Sequence, residues 1–223
     1  GESSFVAMQL YYATRVLDEL MPDTPENAEY RTYLREKGEE QKKLINEHFW
    51  EDDRFRRGYS EEGLIIGTKE NLEGAMWMNP QCWGVISRLS TPEQAEKSMQ
   101  TVYEKLNTPW GIEVMGPCYK EHYFDGALMK LFNPTTKENG GIFCQPQGWA
   151  ILAESLMGHG GRAFEYFTES CPAAYNDRAE LREIEPYVHG QFIEGHESPQ
   201  PGRSHVHWLT GTASTVMVGC VEG

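Results

Sequence analysis

The sequence predicts an all-α fold: an open portion of a helical toroid, made of hairpins with one buried and one solvated helix and long loops at one end. Three observations carry this expectation. Apolar stretches with helical spacing alternate with charged helical stretches along the chain. The octet Asn79-Pro80-Gln81-Cys82-Trp83-Gly84-Val85-Ile86 returns 66 residues later as Gln145-Pro146-Gln147-Gly148-Trp149-Ala150-Ile151-Leu152. After another 65 residues, Thr210-Gly211-Thr212-Ala213 opens a third apolar stretch through Val216-Met217-Val218. Repetition at a fixed period marks stacked supersecondary units. The segments before these starts are long, and loops of such length in a compact domain carry function.

Taken in order, Ser3 or Ser4 caps a first inner helix to about Leu20, with Phe5, Tyr12, Val16, Leu17 and Leu20 along one stripe. Met21-Pro22-Asp23 breaks it. Thr24 then caps an outer helix with Pro25 at its first position, ending near His48; its run of Arg, Lys and Glu is a wet face. Residues 51–75 are irregular, with a short strand at 64–66. The second inner helix follows Met76-Trp77-Met78-Asn79 and reaches about Leu89, and Thr91-Pro92-Glu93-Gln94 is a capping-box start for its partner to Leu106. An aromatic loop (Trp110, Tyr119, Tyr123, Phe124, Phe132) leads to the third inner helix, ending near Leu156. Gly158–Gly161 turn the chain into an outer helix beginning about Arg162. A loop over 171–207 precedes the fourth inner helix. Four inner and three outer helices do not close a ring, so the chain is expected to be part of a larger catalytic domain.

Composition narrows the function. In 223 residues, 39% are hydrophobic and 12% aromatic, enough for a real core, and the net charge of −14 disfavours nucleic acid or anionic membrane as partner. No apolar run approaches the roughly 20 residues of a membrane span. The start, Gly1-Glu2-Ser3, has neither an initiator Met nor a signal peptide. Five cysteines, an odd number without a CxxC pair, argue against a disulfide framework and structural zinc and for a cytoplasmic setting. His196-Glu197 and His205-Val206-His207 lack the spacing that fixes metal geometry, so no metal is expected.

The stretch from Lys137 to Trp149 puts a charged pair, an amide and two glycines before a polar helix entry with Pro146 in its first turn. Three inner helices then begin at one end, and helix N-termini concentrate unpaired N–H donors and partial positive charge. Such a mouth suits an anion. Thr210 reads equally as a plain N-cap, and the two roles are compatible.

Asn79-Pro80-Gln81-Cys82-Trp83, Glu138-Asn139-Gly140-Gly141-Ile142-Phe143, Arg162-Ala163-Phe164-Glu165-Tyr166, Glu183-Ile184-Glu185-Pro186-Tyr187-Val188 and Trp208-Leu209-Thr210-Gly211-Thr212-Ala213 resemble the inverting disaccharide phosphorylases of glycoside hydrolase family 94. The resemblance implies that residues 1–223 are the second half of an (α/α)6 catalytic barrel, the first half and β-rich flanks lying elsewhere in a homodimeric protein. It implies reversible phosphorolysis of a β-glucoside to α-glucose 1-phosphate, with inorganic phosphate as co-substrate and no further cofactor. It assigns phosphate to Gln145, Thr210 and Gly211, the donor sugar to Glu138 and Gln191, and the acceptor sugar to Lys137. A buried salt bridge from Glu138 to Lys137 or Arg182 is the rival for Glu138, and an exposed lysine the rival for Lys137. The family's catalytic Asp is expected upstream of Gly1, leaving no general acid in this chain. Trp77, Trp83, Trp149 and Trp208 lie at helix mouths, where rings stack on sugars; Trp83 and Trp149, inside helices, are expected in the core. Gln145 departs from the family's phosphate-binding His. That leaves two alternatives: a hydrolase or transglycosylase on the same barrel, or a non-catalytic sugar-binding half-barrel.

Overall fold

A computed structural model describes residues 1–122 and 128–223; Tyr123 and Phe124 of the aromatic loop lie outside the described residues. Its helices are α1 (Ser4–Leu20), α2 (Ala28–Phe49), α3 (Met78–Ile86), α4 (Pro92–Leu106), α5 (Cys144–Leu156), α6 (Gly160–Ser170), the single turn α7 (Ala179–Arg182) and α8 (Thr212–Glu222). Three hairpins, α1–α2, α3–α4 and α5–α6, join through their inner members: α1 packs on α3, α3 on α5, and α5 on α8. The alternation of apolar and charged stretches therefore does correspond to inner and outer positions. On α2 only Leu34, Gly38, Ile45 and Phe49 are buried. The main core lies between inner and outer rows, where Met78, Met99, Ile112, Met115 and Tyr166 are fully buried. Each such apolar side chain contributes about 1.5–3 kcal/mol.

Local signals act as the sequence predicts at most starts. Ser3 caps α1 by accepting from Val6 N at 3.4 Å, and Thr91 and Gln94 form both halves of a capping box. Two boundaries differ. Asn27 N–H donates to Thr24 O and Ala28 N–H to Pro25 O, so residues 24–27 form a separate turn and α2 starts at Ala28, not at Thr24. Arg88 adopts φ +59°, which ends α3 before Leu89. The stripe expected on α1 is only partly right. The buried residues are Ser4, Met8 and Tyr11, while Leu17 and Leu20 are exposed. This helix is apolar on two sides: Met8 and Tyr11 pack with Ile45 and Phe49 of α2, while Phe5 and Tyr12 of the expected stripe set their rings against Trp83 of α3.

The all-α expectation needs a larger correction. Short antiparallel strands lace the loops at the inner-helix entrances: 2–3 with 58–59 and 65–66; 142–143 with 190–193 and 204–207; and the pairs 50–51/54–55, 76–77/115–116 and 107–108/111–112. The strand expected at 64–66 is one of them. Buried loops must pair their backbone groups, and ladders of two to four residues do this without forming a layer. Sequence periodicity over so few residues is invisible, so only the loops' length announced them.

Between the rows, Glu169 at the end of α6 has one carboxylate oxygen accepting from Asn107 Nδ2 at 3.1 Å and the other shielded without a hydrogen bond. Burial pushes its carboxyl up from 4.5 to about 7. An acid whose pKa is raised by folding stabilises fully below its unfolded pKa and loses that contribution as pH rises through 7. Glu169→Gln is therefore expected to stabilise at pH 8, by about 1 kcal/mol once partial solvent access is discounted. Urea midpoints at pH 4 and pH 8 test this, since the gap between variant and parent should be absent at pH 4, open between about pH 4.5 and 7 and stay constant above.

Candidate functional site

The repeated octet has a mechanical meaning. In α5, Gln147 Oε1 accepts from Ile112 N at 2.9 Å, while its Nε2 donates to Ile112 O at 2.8 Å and Phe143 O at 3.0 Å. In α3, Gln81 does the same to Phe55 N and O and to Trp77 O. Both glutamines are completely buried. Each saturates one loop residue on both sides and holds that loop against a helix entrance. The entrances are linked as well, because Val114 accepts from Met78 N and donates to Gly141 O. The glutamine following proline is thus a clamp, and sequence reasoning missed it. The available signal was its identity in both copies amid apolar neighbours.

Asn139 uses the same chemistry. Its Oδ1 accepts from Tyr119 N at 2.7 Å and its Nδ2 donates to the carbonyls of Tyr119 and Phe132. This fixes the loop carrying Lys137 and Glu138, which turns through positive φ at Lys137 (47°) and Gly140 (78°). The loop continues as strand 142–143 straight into α5.

Glu138 is half-buried, and its Oε2 is shielded from solvent without a hydrogen-bond partner among the described residues. The rival salt bridges are not formed. Lys137 Nζ sits over the Phe132 ring at 5.3 Å, and Arg182 Nη2 donates to Val188 O at 3.1 Å. Strand 190–193 pairs with 142–143 through Ile193–Ile142 and Phe192–Phe143, which brings Gln191 beside the α5 entrance. Gln191 is half-buried.

α8 crosses α5 at Gly148, where a Cβ would lie 2.3 Å from the Thr215 carbonyl carbon. That close approach explains the small residue in this copy of the repeat. It carries the mouth of α8 onto Gln145: Thr215 Oγ1 donates to Gln145 O at 2.8 Å, and the Gln145 amide lies 3.5 Å from the Cβ position of Gly211. Thr210 Oγ1 accepts from Thr212 N at 3.2 Å and meets Thr212 Oγ1 at 2.5 Å, so it bonds the first helical residue from one position before the N-cap, which is Gly211 and not Thr210. Gln145, Thr210 and Gly211 are therefore gathered at adjoining helix entrances. Glu138 lies on the loop that leads into strand 142–143, and Gln191 on the strand paired with it.

The tryptophans divide. Trp77 is buried with its indole N–H given to Gly74 O, so it offers no ring to a ligand. Trp83 and Trp149 pack edge-to-face at 5.7 Å, with Phe5 against both. Trp208 is exposed against Tyr187 at 6.2 Å. Two histidines considered for metal are held by carboxylates, His196 by Glu113 at 2.7 Å and His205 by Glu194 at 2.6 Å. Among the described residues no cluster of three or more His, Cys, Asp or Glu is arranged for a metal, and no helix is long and apolar enough to cross a membrane.

Comparison with known proteins finds relatives along nearly the whole chain. The chain is 32% identical over 215 residues to N,N'-diacetylchitobiose phosphorylase of Vibrio proteolyticus, covering 96% of this chain and 27% of that protein. It is 28% identical to solabiose phosphorylase of Paenibacillus borealis, covering 96% of this chain and 28% of that one. To cellobionic acid phosphorylase of Neurospora crassa it is 31% identical, over 80% of this chain and 23% of the other. The chain thus spans about a quarter of the length of these curated relatives. The profile of the glycosyl hydrolase 94 superfamily catalytic domain matches residues 1–223, and the chain belongs to that superfamily.

Proposed function

We propose that this chain is the second half of an (α/α)6 catalytic barrel in an inverting disaccharide phosphorylase. Phosphate attacks the anomeric carbon of a β-glycoside from the face opposite the leaving sugar, releasing an α-sugar 1-phosphate. This is the inverting glycosidase scheme with phosphate in place of water. The dianion needs no general base, only donors to hold it in line. The Thr210 hydroxyl, backbone N–H groups at Gly211 and the Gln145 amide supply them at the α8 and α5 entrances. Glu138 and Gln191 grip hydroxyls of the donor sugar, and Lys137 turns toward the acceptor side. The proton for the leaving oxygen comes from a carboxylic acid in the remaining part of the protein. No cofactor takes part, phosphate being a co-substrate.

The observation that supports this reading best is the junction of the α5 and α8 entrances beside a loop whose carboxylate oxygen is shielded and unpartnered. The relatives' names cover different disaccharides, so the acceptor is not carried over. Thr210→Ala in the full-length protein tests the reading: KM for phosphate is expected to rise about tenfold to a hundredfold, with disaccharide binding changed less than threefold. Equal losses on both substrates would give Thr210 a structural role alone.

Gln145 favours a second reading, hydrolysis or transglycosylation, because an amide holds a dianion with less charge than an imidazolium does. Sugar release that proceeds at the same rate without phosphate would select it. Under the phosphorylase reading, Gln145→His lowers KM for phosphate several-fold, most clearly below pH 6.5, where the imidazole is protonated.

A further inference from the structure

The loop that carries Glu138 also borders a cavity of about 530 Å³, whose lining includes none of the residues assigned to the reaction above. Its size falls in the range of small-molecule sites. Thr135 and Gly140 of this loop line the cavity, whereas Lys137 and Glu138 do not. His196, three residues beyond the strand that carries Gln191, forms another wall.

Most charges around it are already matched. Lys69 pairs with Asp52 at 2.9 Å, Arg54 with Asp53 at 2.9 Å, and Lys120 with Glu197 at 2.7 Å. Several lining groups keep unspent capacity, two of them ionisable side chains. Glu113, 4% exposed, uses Oε1 for both the backbone and ring nitrogens of His196, and its Oε2 has no hydrogen-bond partner among the described residues. Burial raises its carboxyl above the ordinary range, with His196 opposing. Lys105, in the last turn of α4, has no ion-pair partner among the described residues. Met76 and Pro117 supply apolar wall. Unspent donors and acceptors over an apolar floor, balanced in charge, fit neither a phosphate nor a cation. They fit a neutral ring bearing hydroxyls.

We propose that this cavity is a second carbohydrate site, taking a neutral monosaccharide unit between Glu113 and Lys105. Naming the ligand as sugar rests on the carbohydrate reading above; the cavity and its unspent groups do not. Occupancy would stiffen the loop that bears Glu138.

Full-length protein carrying Glu138→Ala, which removes the donor-sugar grip, is titrated with D-glucose by calorimetry. A residual binding event is expected, weakened about tenfold or more by adding Lys105→Ala or the cavity-filling Ala75→Trp. Glucose binding absent from the Glu138→Ala protein, or unchanged by Lys105→Ala, overturns the proposal. Lys105 is on the surface of α4, so that arm stands even where Ala75→Trp fails to fold. Phosphorolysis assayed on the parent separates the two readings: its absence there condemns the proposed function, whereas glucose titration alone judges the cavity.

Discussion

Gln147→Leu is expected to destabilise the protein by about 4 kcal/mol, although it exchanges a polar core residue for an apolar one of similar size. The reason is what remains behind. The substitution strands Ile112 N–H, Ile112 C=O and Phe143 C=O, all of which Gln147 now satisfies. Each buried group left without a partner costs about 1–3 kcal/mol, and relaxation recovers part of the sum. Gln81→Leu should cost about as much, because it frees the equivalent groups of Phe55 and Trp77. The control is Gln145→Leu two positions away: half-buried, it should shift stability by less than about 0.5 kcal/mol. Urea titrations compare the midpoints at constant slope. Comparable losses for Gln145→Leu and Gln147→Leu would remove the clamp from the account.

The sequence carried the row of inner and outer helices because periodicity over ten or more residues averages out local noise. Alternation between Trp-rich and Lys/Glu-rich stretches is a direct readout of which side water touches. It carried the helix mouths too, since Pro146 and the glycines Gly140 and Gly141 have few other uses in that order. Other features depend on partners distant in sequence. Nothing near Gln147 announces that it will hold Ile112, 35 residues earlier. Likewise Asn139 looked like a polar residue delivered to a ligand, yet it is wholly buried and spent on Tyr119 and Phe132. α1 misled for the opposite reason: apolar on two faces, it buries Met8 and Tyr11 against α2 and lays only the first part of the expected stripe, Phe5 and Tyr12, against Trp83 of α3. Gly148 shows both limits at once, since its small size was visible in the repeat while the crossing of α8 that demands it was not.

Glu138→Ala should separate function from stability more sharply than any other change in this chain. For the full-length protein, kcat/KM toward the disaccharide is expected to fall about 10³-fold, the order seen when a site built to hold a hydroxyl loses its acceptor. KM for phosphate should move little, the reverse of Thr210→Ala, because the dianion is assigned to the α5 and α8 entrances rather than to this loop. Stability should go the other way. A shielded carboxylate oxygen without a hydrogen bond is a cost to the folded chain, and neither Lys137, resting on Phe132, nor Arg182, committed to Val188, offsets it. Removing the carboxylate is therefore expected to raise the melting temperature by a few degrees, about 1 kcal/mol. Loop integrity is protected in the variant because Asn139, not Glu138, ties the loop to Tyr119. If Glu138→Ala instead lost stability and activity together, the carboxylate would be a structural brace with an unseen partner. If it gained stability and kept its sugar kinetics, the donor grip would have to be sought on Gln191 alone.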